Sequence, residues 1–407
     1  MAIIGAGPAG AALATRLARA GLDVVLLERA PAWRWRAGGV FASPAAVTAL
    51  RRAGLDAPTI DRVSRAIPAM RLETAGGAVV RLTYGTDQGG PTAVGFDRSA
   101  LDPALVELAN AAGVTVRQGL AVRDVVLDPA GRRVSLAVSG SGRDGRAAEG
   151  THIAARVVVG ADGPHSRVAR AADVARAVRM GRRVGLSYHL PDPRGDATLE
   201  ARMRVIRDGY VGIAPVPGGR VNIGIVLGGS WARQLAAEGA ATLAARIVRD
   251  IPATADDAIP WRDATPCESI AGAAPLGVRV TRRAGPGWFL VGDAAGFLDP
   301  FTGEGLHRAL ISTELAAPAI VAAVRGRADP ARAAAVYDRA MRRRFAAKDA
   351  VSWLVQTFLT RPMLFEYAAR RLATRPDVRA TMGLVMGDLI PAARGLDPRF
   401  LAALLAP

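Results

Sequence analysis

The sequence predicts an α/β fold: a discontinuous Rossmann-like domain, an inserted antiparallel β-sheet domain and a helical C-terminal tail. First, the N-terminal thirty residues read as strand, glycine turn, helix and strand. Second, two later apolar strands, within 153–170 and 286–325, also end in tight turns that contain Gly and Asp. Third, the segments between them alternate apolar and polar residues, as half-buried antiparallel strands do. We therefore assign 1–65, 97–170 and 275–330 to the first domain, 66–96 and 171–274 to the inserted sheet, and 331–407 to the tail.

The N-terminal βαβ unit organises the rest of the chain. A short apolar strand leads into Gly5-x-Gly7-x-x-Gly10, and an Ala-rich helix follows. The first glycine allows the turn, the second lets the backbone approach a pyrophosphate, and the third packs the helix against the sheet. The next strand ends in Glu28, where a carboxylate can accept hydrogen bonds from ribose hydroxyls. This order predicts dinucleotide binding.

A secretory signal is the competing interpretation of this segment, because its first fifteen residues carry no charge. A basic n-region is missing, however, and the βαβ order is complete. In a chain with 45 glycines the glycine pattern alone would be weak. The first strand has almost nothing before it, so we also expect that the natural start lies a few residues upstream.

Composition favours a globular enzyme in the cytoplasm. Half of the 407 residues are hydrophobic, and the formal net charge is +17. The charge is nearly all arginine spread along the chain, Lys348 being the only lysine, and aromatic residues are few. A nucleic-acid-binding surface would concentrate basic and aromatic side chains in one place, so we expect no nucleic-acid partner. Peripheral contact with a membrane stays open, but no apolar run is long enough to span one. The single cysteine, Cys267, excludes an internal disulfide.

The remaining elements follow from local patterns. MRLETAGGAVVRLTY reads as a hairpin around Gly76 and Gly77. The loop with Trp33, Arg34 and Trp35 is interpreted as packing over a cofactor. We expect helices at 44–53, 97–112 and 232–249, strands at 114–116, 121–126 and within 180–230, an exposed hairpin tip at 139–150, a strand, loop and long helix at 286–325, and helices after 331 with breaks near Pro362 and Pro391.

Three motifs occur in a characteristic order: the N-terminal glycine turn, Asp162-Gly163 in ADGPHSR, and Gly292-Asp293 in GDAAGFLDPFTGEGL. With these motifs the chain resembles the FAD-dependent aromatic-hydroxylase-like flavoproteins (class A flavoprotein monooxygenases), a group that also holds geranylgeranyl reductase-type enzymes. The resemblance covers about residues 1–325, and the tail is similar to that of reductase-type members. It implies FAD as cofactor, with NAD(P)H as a transient reductant that has no domain of its own.

The resemblance also implies cofactor-binding residues, position by position. They are Gly5, Gly7, Ala9 and Gly10 for the pyrophosphate, Glu28 with Arg29 for the ribose, Gly38 and Gly39 beside the flavin, Arg98 as support, Val122 for the adenine, Asp162 and Gly163 for both nucleotides, Asp293 for the ribityl chain, and Gly303, Gly305 and Leu306 for the flavin pyrimidine. The residues give an independent reason for the last group. DPFTGEGL precedes a helix whose N-terminus would stabilise the negative charge of reduced flavin.

The activity stays open between two flavin reactions. Geranylgeranyl reductase-type members usually carry a cysteine where this chain has Ala37, and their aromatic substrate motif is reduced here to Tyr210-Val-Gly-Ile-Ala-Pro215. Both differences favour an NAD(P)H-dependent monooxygenase that hydroxylates or epoxidises an apolar small molecule. Reduction of C=C bonds in an isoprenoid chain is the alternative, and an adaptor without flavin is a third reading.

The same residues leave the substrate and the oligomeric state undetermined. We expect the substrate pocket on the inserted sheet, with Tyr188, Arg204 and Tyr210 as candidates that could equally be ordinary sheet residues. The four histidines have no metal-ligand spacing, so no metal site is expected. Lys348 lies in the tail, so we do not expect halogenation.

Overall fold

The computed structural model describes residues 1–33, 35, 38–84, 92–128, 133–140, 151–178, 183–195, 200–251 and 262–405. Arg34, Ala37 and most of the hairpin tip expected at 139–150 lie outside these residues. The strands are β1 (Ala2–Ile4), β2 (Val25–Glu28), β3 (Phe41–Ala42), β4 (Ser64–Ile67), β5 (Ala69–Glu73), β6 (Val79–Thr83), β7 (Ala93–Phe96), β8 (Thr115–Gln118), β9 (Ala121–Leu127), β10 (Val134–Ser139), β11 (Thr151–Ala155), β12 (Val158–Gly160), β13 (Ala175–Ala177), β14 (Arg183–Pro191), β15 (Ala201–Ile206), β16 (Gly209–Val216), β17 (Arg220–Leu227), β18 (Ala271–Leu276), β19 (Val278–Val280), β20 (Ala284–Gly285) and β21 (Trp288–Leu290). The α-helices are α1 (Pro8–Arg19), α2 (Pro44–Ala53), α3 (Ala57–Val63), α4 (Arg98–Ala111), α5 (Arg167–Ala171), α6 (Ala232–Arg249), α7 (Gly305–Val324), α8 (Pro330–Leu359), α9 (Pro362–Thr374), α10 (Pro376–Met386) and α11 (Pro398–Leu405).

The first sheet brings the three sequence motifs to one edge. Its strand order is β20-β21-β12-β1-β2-β8, and all neighbours are parallel except β20 and β21. Strands β1, β12 and β21 are fully buried, which their short uninterrupted apolar runs predict. A motif follows each of these three strands, and they are neighbours in the sheet. Ligands of such sheets bind at the carboxyl ends of the strands, so the motifs share one crevice.

The second sheet is largely antiparallel and has seven strands in the order β18-β14-β17-β16-β15-β5-β6. The predicted hairpin supplies β5 and β6, and Gly77 in its turn has φ +88°. Helix α6 packs on one face, where Leu243 and Ile247 join an apolar cluster with the sheet. Strand β7 was expected to belong to this sheet, but it pairs with β3 and β4. All four residues of β7 are buried, so it lies inside the molecule and not at the sheet edge.

Helices α8 to α11 cover the other face of this second sheet. Asp329 caps α8, and its carboxylate accepts hydrogen bonds from two backbone N–H groups of the first turn. Prolines start α9, α10 and α11 because proline fits the first turn of a helix. Phe365 and Leu372 of α9 pack with Val80 and Met203 of the sheet. No helix in the described part of the chain is long and apolar enough to cross a membrane.

Candidate functional site

The glycine turn after β1 is fixed by close backbone packing and open on one side. A Cβ atom added to Gly5, whose φ is +97°, would lie 2.5 Å from the carbonyl oxygen of Ala161. At Gly10 it would lie 1.9 Å from the carbonyl oxygen of Gly5. At Gly7 it would meet no described atom within 4 Å, and Gly7 directly precedes α1. The N-terminus of α1 beside Gly7 is therefore open to an anion, whereas the N–H groups of Gly5 and Ala6 already donate to Leu27 and Glu28.

Glu28 lies across this turn. The side chain is buried at 2% exposure, and its two carboxylate oxygens accept hydrogen bonds from the backbone N–H groups of Ala6 (3.1 Å) and Ala30 (2.9 Å). Arg29 is exposed. The structure thus brings Glu28 to the glycine turn.

The Asp162-Gly163 turn follows β12 beside the glycine turn. Oδ2 of Asp162 accepts a hydrogen bond of 2.7 Å from the backbone N–H of Arg167, whereas Oδ1 is buried and has no partner among the described residues. Burial raises the pKa of Asp162. A Cβ atom on Gly163 would contact nothing described within 4 Å. Val122 lies in β9, and Arg167 bonds to the carbonyl oxygen of the next residue, Arg123, at 2.6 Å.

The Gly292-Asp293 turn closes the crevice from the third side. A Cβ atom on Gly292, whose φ is +60°, would lie 2.8 Å from Cβ of Ala9. Arg98 donates to Asp102 (2.8 Å) and to the carbonyl oxygen of Gly39 (3.0 Å). Burial raises the pKa of Asp293, and the charge of Arg98 acts against this shift. All three motifs and the Gly38-Gly39 loop thus meet around one space.

The loop with the sequence DPFTGEGL is held by Asp299. One carboxylate oxygen accepts hydrogen bonds from the backbone N–H of Phe301 (2.9 Å) and the hydroxyl of Tyr210 (2.6 Å), and the other pairs with Arg183 (2.9 Å). A Cβ atom on Gly303 would lie 2.5 Å from the ring of Phe41.

The end of this loop opens onto the same space. A Cβ atom on Gly305, the first residue of α7, would meet no described atom within 4 Å. Leu306 beside it is buried at 5% exposure. The hydroxyl of Thr302 is buried and has no described partner. The helix N-terminus and Thr302 therefore offer donors to a bound group.

A buried ionic cluster supports α7 from the C-terminal helices, and sequence reasoning missed it. Nζ of Lys348 lies 2.7 Å from Oδ1 of Asp388, and Oδ2 of Asp388 lies 2.9 Å from Ser43 Oγ and 3.1 Å from His307 Nδ1. Burial would raise the pKa of Asp388, but His307 and Lys348 outweigh it and hold this pKa at about 2. Glu304 faces Lys348 at 3.7 Å. The one signal in the sequence was that Lys348 is the only lysine.

An apolar cavity of about 100 Å³ lies between the second sheet and the C-terminal helices. Phe41, Phe301 and Thr302 form the end nearest the DPFTGEGL loop. Strands β5 and β6 and helices α8 to α11 provide the other walls, and none of the described residues that line the cavity is charged. Residues from these elements include Met70, Leu72, Leu82, Phe358, Phe365, Leu372 and Leu404.

Of the three substrate candidates, the structure brings only Tyr210 to this region. Its ring packs edge-on against Phe301, with ring centroids 5.0 Å apart. The side chain of Tyr188 points to the opposite face of the sheet and packs in the cluster with α6. Arg204 also lies on that opposite face, where it pairs with the buried Glu73 at 3.4 Å. Side chains alternate between the two faces of a sheet along each strand. The sequence did not reveal which of the two alternating sets of residues faces the site.

A protein-family profile described as "FAD binding domain" matches residues 1–352. The chain belongs to this family of FAD-binding proteins. It is similar to a menaquinone reductase of Mycolicibacterium smegmatis (28% identity, 77% of this chain and 74% of the relative) and to digeranylgeranylglycerophospholipid reductase 2 of Methanopyrus kandleri (30%, 78% and 76%). A solved geranylgeranyl bacteriochlorophyll reductase-like protein from Thermoplasma acidophilum shares the fold, with TM-score 0.75, 20% identity and coverage of 99% of this chain and 97% of that chain. The family resemblance and the α/β fold class predicted from the sequence are thereby confirmed.

The residues around the crevice fit FAD. Gly7 and Gly305 face open space at two helix N-termini, where a pyrophosphate and an electron-rich ring can accept hydrogen bonds. Oδ1 of Asp162 and Oγ1 of Thr302 are buried polar atoms without described partners, which is costly unless a ligand satisfies them. The protein is an FAD-dependent oxidoreductase.

Proposed function

We propose that this enzyme reduces C=C bonds in the isoprenoid chain of an apolar lipid, with NAD(P)H as the transient reductant. One observation carries the proposal: the apolar cavity that begins at Phe301 and Thr302 and continues between the sheet and the C-terminal helices. An apolar chain gains free energy when its surface leaves water for such a lining. Menaquinones and digeranylgeranyl lipids both contain isoprenoid chains, and two relatives carry these substrates in their names.

When bound, FAD would supply hydride-transfer chemistry. Overall, NAD(P)H and one proton from the medium are consumed, the C=C bond gains two hydrogen atoms, and NAD(P)⁺ is released. The protein itself would bind and orient the cofactor and the substrate. The turn at Gly7 would hold the pyrophosphate, the N-terminus of α7 would offer N–H groups to the flavin, and the Thr302 hydroxyl offers a hydrogen bond beside the cavity.

The apolar wall also keeps water from the reaction. Leu72, Phe358 and Leu372 exclude water from the region where the double bond would lie. The side chain of Tyr84 in the same wall is buried, and burial raises its pKa, so its hydroxyl remains protonated near neutral pH. This lining suits a reaction on an uncharged chain.

A monooxygenase is the second candidate, and one feature of the sheet favours it. Ser187 and Gly212 both lie directly opposite Gly224 on neighbouring strands, on the face that carries Tyr210. This row of small residues leaves a flat floor on which a planar ring could lie. In that reaction NAD(P)H and O₂ are consumed, one oxygen atom enters the substrate, and the other leaves as water.

Anaerobic single turnover separates the two reactions. Holoenzyme reduced with NADPH under nitrogen is mixed with a lipid that bears a geranylgeranyl chain, and flavin absorbance and product mass are followed. The proposal predicts that the flavin reoxidises without O₂ and that the product gains two hydrogens per reduced bond. Reoxidation that requires O₂, with one oxygen atom in the product, supports the monooxygenase and contradicts the reductase.

A further inference from the structure

The outer surface of the last helices carries large apolar side chains. On α9, Met363 is 85% exposed and Tyr367 is 38% exposed, and their four-residue spacing places them on one helix face. Leu405 of α11 is 39% exposed. The hydroxyl of Tyr367 lies 2.8 Å from the carbonyl oxygen of Leu405, so the two helices present these side chains side by side. Such a patch marks an interaction surface.

The same two helices form the wall of the apolar cavity. Phe365, Ala368 and Leu372 of α9 and Leu404 of α11 line the cavity from the inner side. One layer of helices therefore separates the cavity from the exposed patch. A lipid chain that entered between these helices would have a short path to the DPFTGEGL loop.

Arginines flank the apolar patch. Arg370 continues the stripe of Met363 and Tyr367 on α9, and Arg399 is exposed near the start of α11, on a different side of that helix from Leu405. Within the described residues of α9 and α11, the one acidic side chain is Glu366. It is packed against Gly76 and paired with Arg370. The charge of Arg370 is therefore compensated, and Arg399 supplies positive charge beside the apolar side chains. An apolar surface with positive charge at its border binds a bilayer with anionic headgroups.

We propose that the outer surface of α9 and α11, formed by Met363, Tyr367, Arg370, Arg399 and Leu405, docks on an anionic phospholipid bilayer. The inference rests on the proposed function, because a lipid substrate resides in the bilayer. A second copy of the chain fits less well, because pairing this surface with itself would bring the arginines of both copies together. The docking face and the cavity then share the helices between them, so a docked enzyme takes its substrate without passing it through water.

Vesicle flotation of the FAD-loaded enzyme tests the proposal without any substrate. The probes are vesicles of phosphatidylcholine alone and of phosphatidylcholine with an equal amount of phosphatidylglycerol. The wild type should float with the mixed vesicles and bind pure phosphatidylcholine much more weakly. The double variant Met363→Ser, Leu405→Ser should lose about tenfold in partitioning, because two exposed apolar contacts are removed and the fold is unaffected. Val336→Ser is the matched control, since Val336 is 53% exposed on α8 and lies about 35 Å along that helix from its C-terminal end.

A second readout locates the contact. Tryptophan emission of Met363→Trp should shift to the blue and be quenched by brominated lipids in the mixed vesicles, whereas that of Val336→Trp should not change. Equal flotation of the wild type and the double variant, or absence of wild-type flotation, overturns the docking proposal. Dimerisation that the double variant abolishes, without vesicle binding, also overturns it and identifies a second copy as the occupant. Turnover of a detergent-dispersed substrate is measured separately, so a failure of the docking proposal is distinguishable from a failure of the reductase proposal.

Discussion

The hydroxyl of Tyr210 lies 2.6 Å from Oδ1 of Asp299, and this contact joins the second sheet to the DPFTGEGL loop. Arg183 binds the other oxygen of Asp299 at 2.9 Å and donates to Gln356 of α8 at 2.6 Å. One carboxylate therefore connects the sheet, the loop and the C-terminal helices. The loop precedes the open N-terminus of α7, so its position decides how that helix faces the cofactor.

Removal of the Tyr210 hydroxyl should weaken FAD binding moderately. In Tyr210→Phe, Asp299 keeps its bonds to Phe301 and Arg183, so the loop should loosen but remain in place. One hydrogen bond to a charged group is worth about 1.5 kcal/mol, which corresponds to about a tenfold weaker FAD affinity. Titration of the apoprotein with FAD, followed by flavin fluorescence, measures this affinity. Tyr367→Phe removes a hydroxyl that bonds to the carbonyl of Leu405 and should leave FAD affinity unchanged; equal losses in both variants would contradict the role of Asp299.

Two glycines of the first turn should respond differently to alanine. Gly10→Ala would place Cβ 1.9 Å from the carbonyl oxygen of Gly5, so the turn cannot form and the melting temperature should fall sharply. Gly7→Ala meets no described atom, so this variant should fold with a nearly unchanged melting temperature but lose FAD. Differential scanning fluorimetry of the apoproteins and the flavin absorbance of purified protein test the pair. A Gly7→Ala variant with full flavin content would show that the pyrophosphate does not lie there.

The local pattern of the chain predicted that the three motifs come together, because their residues are near one another in sequence or at equivalent strand ends. Gly5, Asp162 and Gly292 each follow a buried strand, and parallel strands bring those ends together. The same reasoning could not decide on which face Tyr188 lies, since the face that a strand residue occupies depends on pairing register and on the position of α6.

Local sequence patterns could not predict contacts between residues that are far apart in the chain. Lys348 and Asp388 belong to different helical segments of the tail, and nothing near either residue specifies the other. The apolar cavity could not be predicted for the same reason, because Leu72 and Leu372 line it from elements that are 300 residues apart in the chain. Such contacts arise from the docking of α8 to α11 on the sheet.

Filling the cavity should slow turnover of the substrate and leave binding of the cofactor unchanged. Ala368 lines the cavity, and Ala368→Trp would occupy space close to Phe365 and Leu372. We expect normal FAD content, normal reduction by NADPH, and at least a tenfold loss of kcat/KM for a long-chain substrate. Val336→Trp on the exposed surface of α8 is the control. Unchanged kcat/KM in a folded Ala368→Trp enzyme would place the substrate elsewhere.

The Lys348–Asp388 pair should make stability depend on acidity in a defined range. Asp388 has a pKa of about 2 in the folded protein and an ordinary value of 3.8, so the folded state favours its charged form. A carboxyl with a depressed pKa stabilises the fold above its unfolded pKa, and this contribution is lost as the pH falls toward the folded value. The full contribution is about 2.5 kcal/mol, of which about 1 kcal/mol should be lost by pH 3. Asn at this position preserves the backbone, since Asp388 has φ +58° and Asn tolerates that region.

Urea unfolding of the wild type and Asp388→Asn at pH 6, 4 and 3 measures the effect as the difference in unfolding free energy between the two proteins. The difference should be largest at pH 6, nearly the same at pH 4 to within about 0.5 kcal/mol, and clearly smaller at pH 3. Asp377→Asn, which removes an exposed carboxylate at the start of α10, is the control for general acid effects. A difference between wild type and Asp388→Asn that stays constant from pH 6 to pH 3 would mean that Lys348 and His307 do not hold Asp388 in its charged form. In that case the Asp388 carboxylate would not be what couples the C-terminal helices to α7.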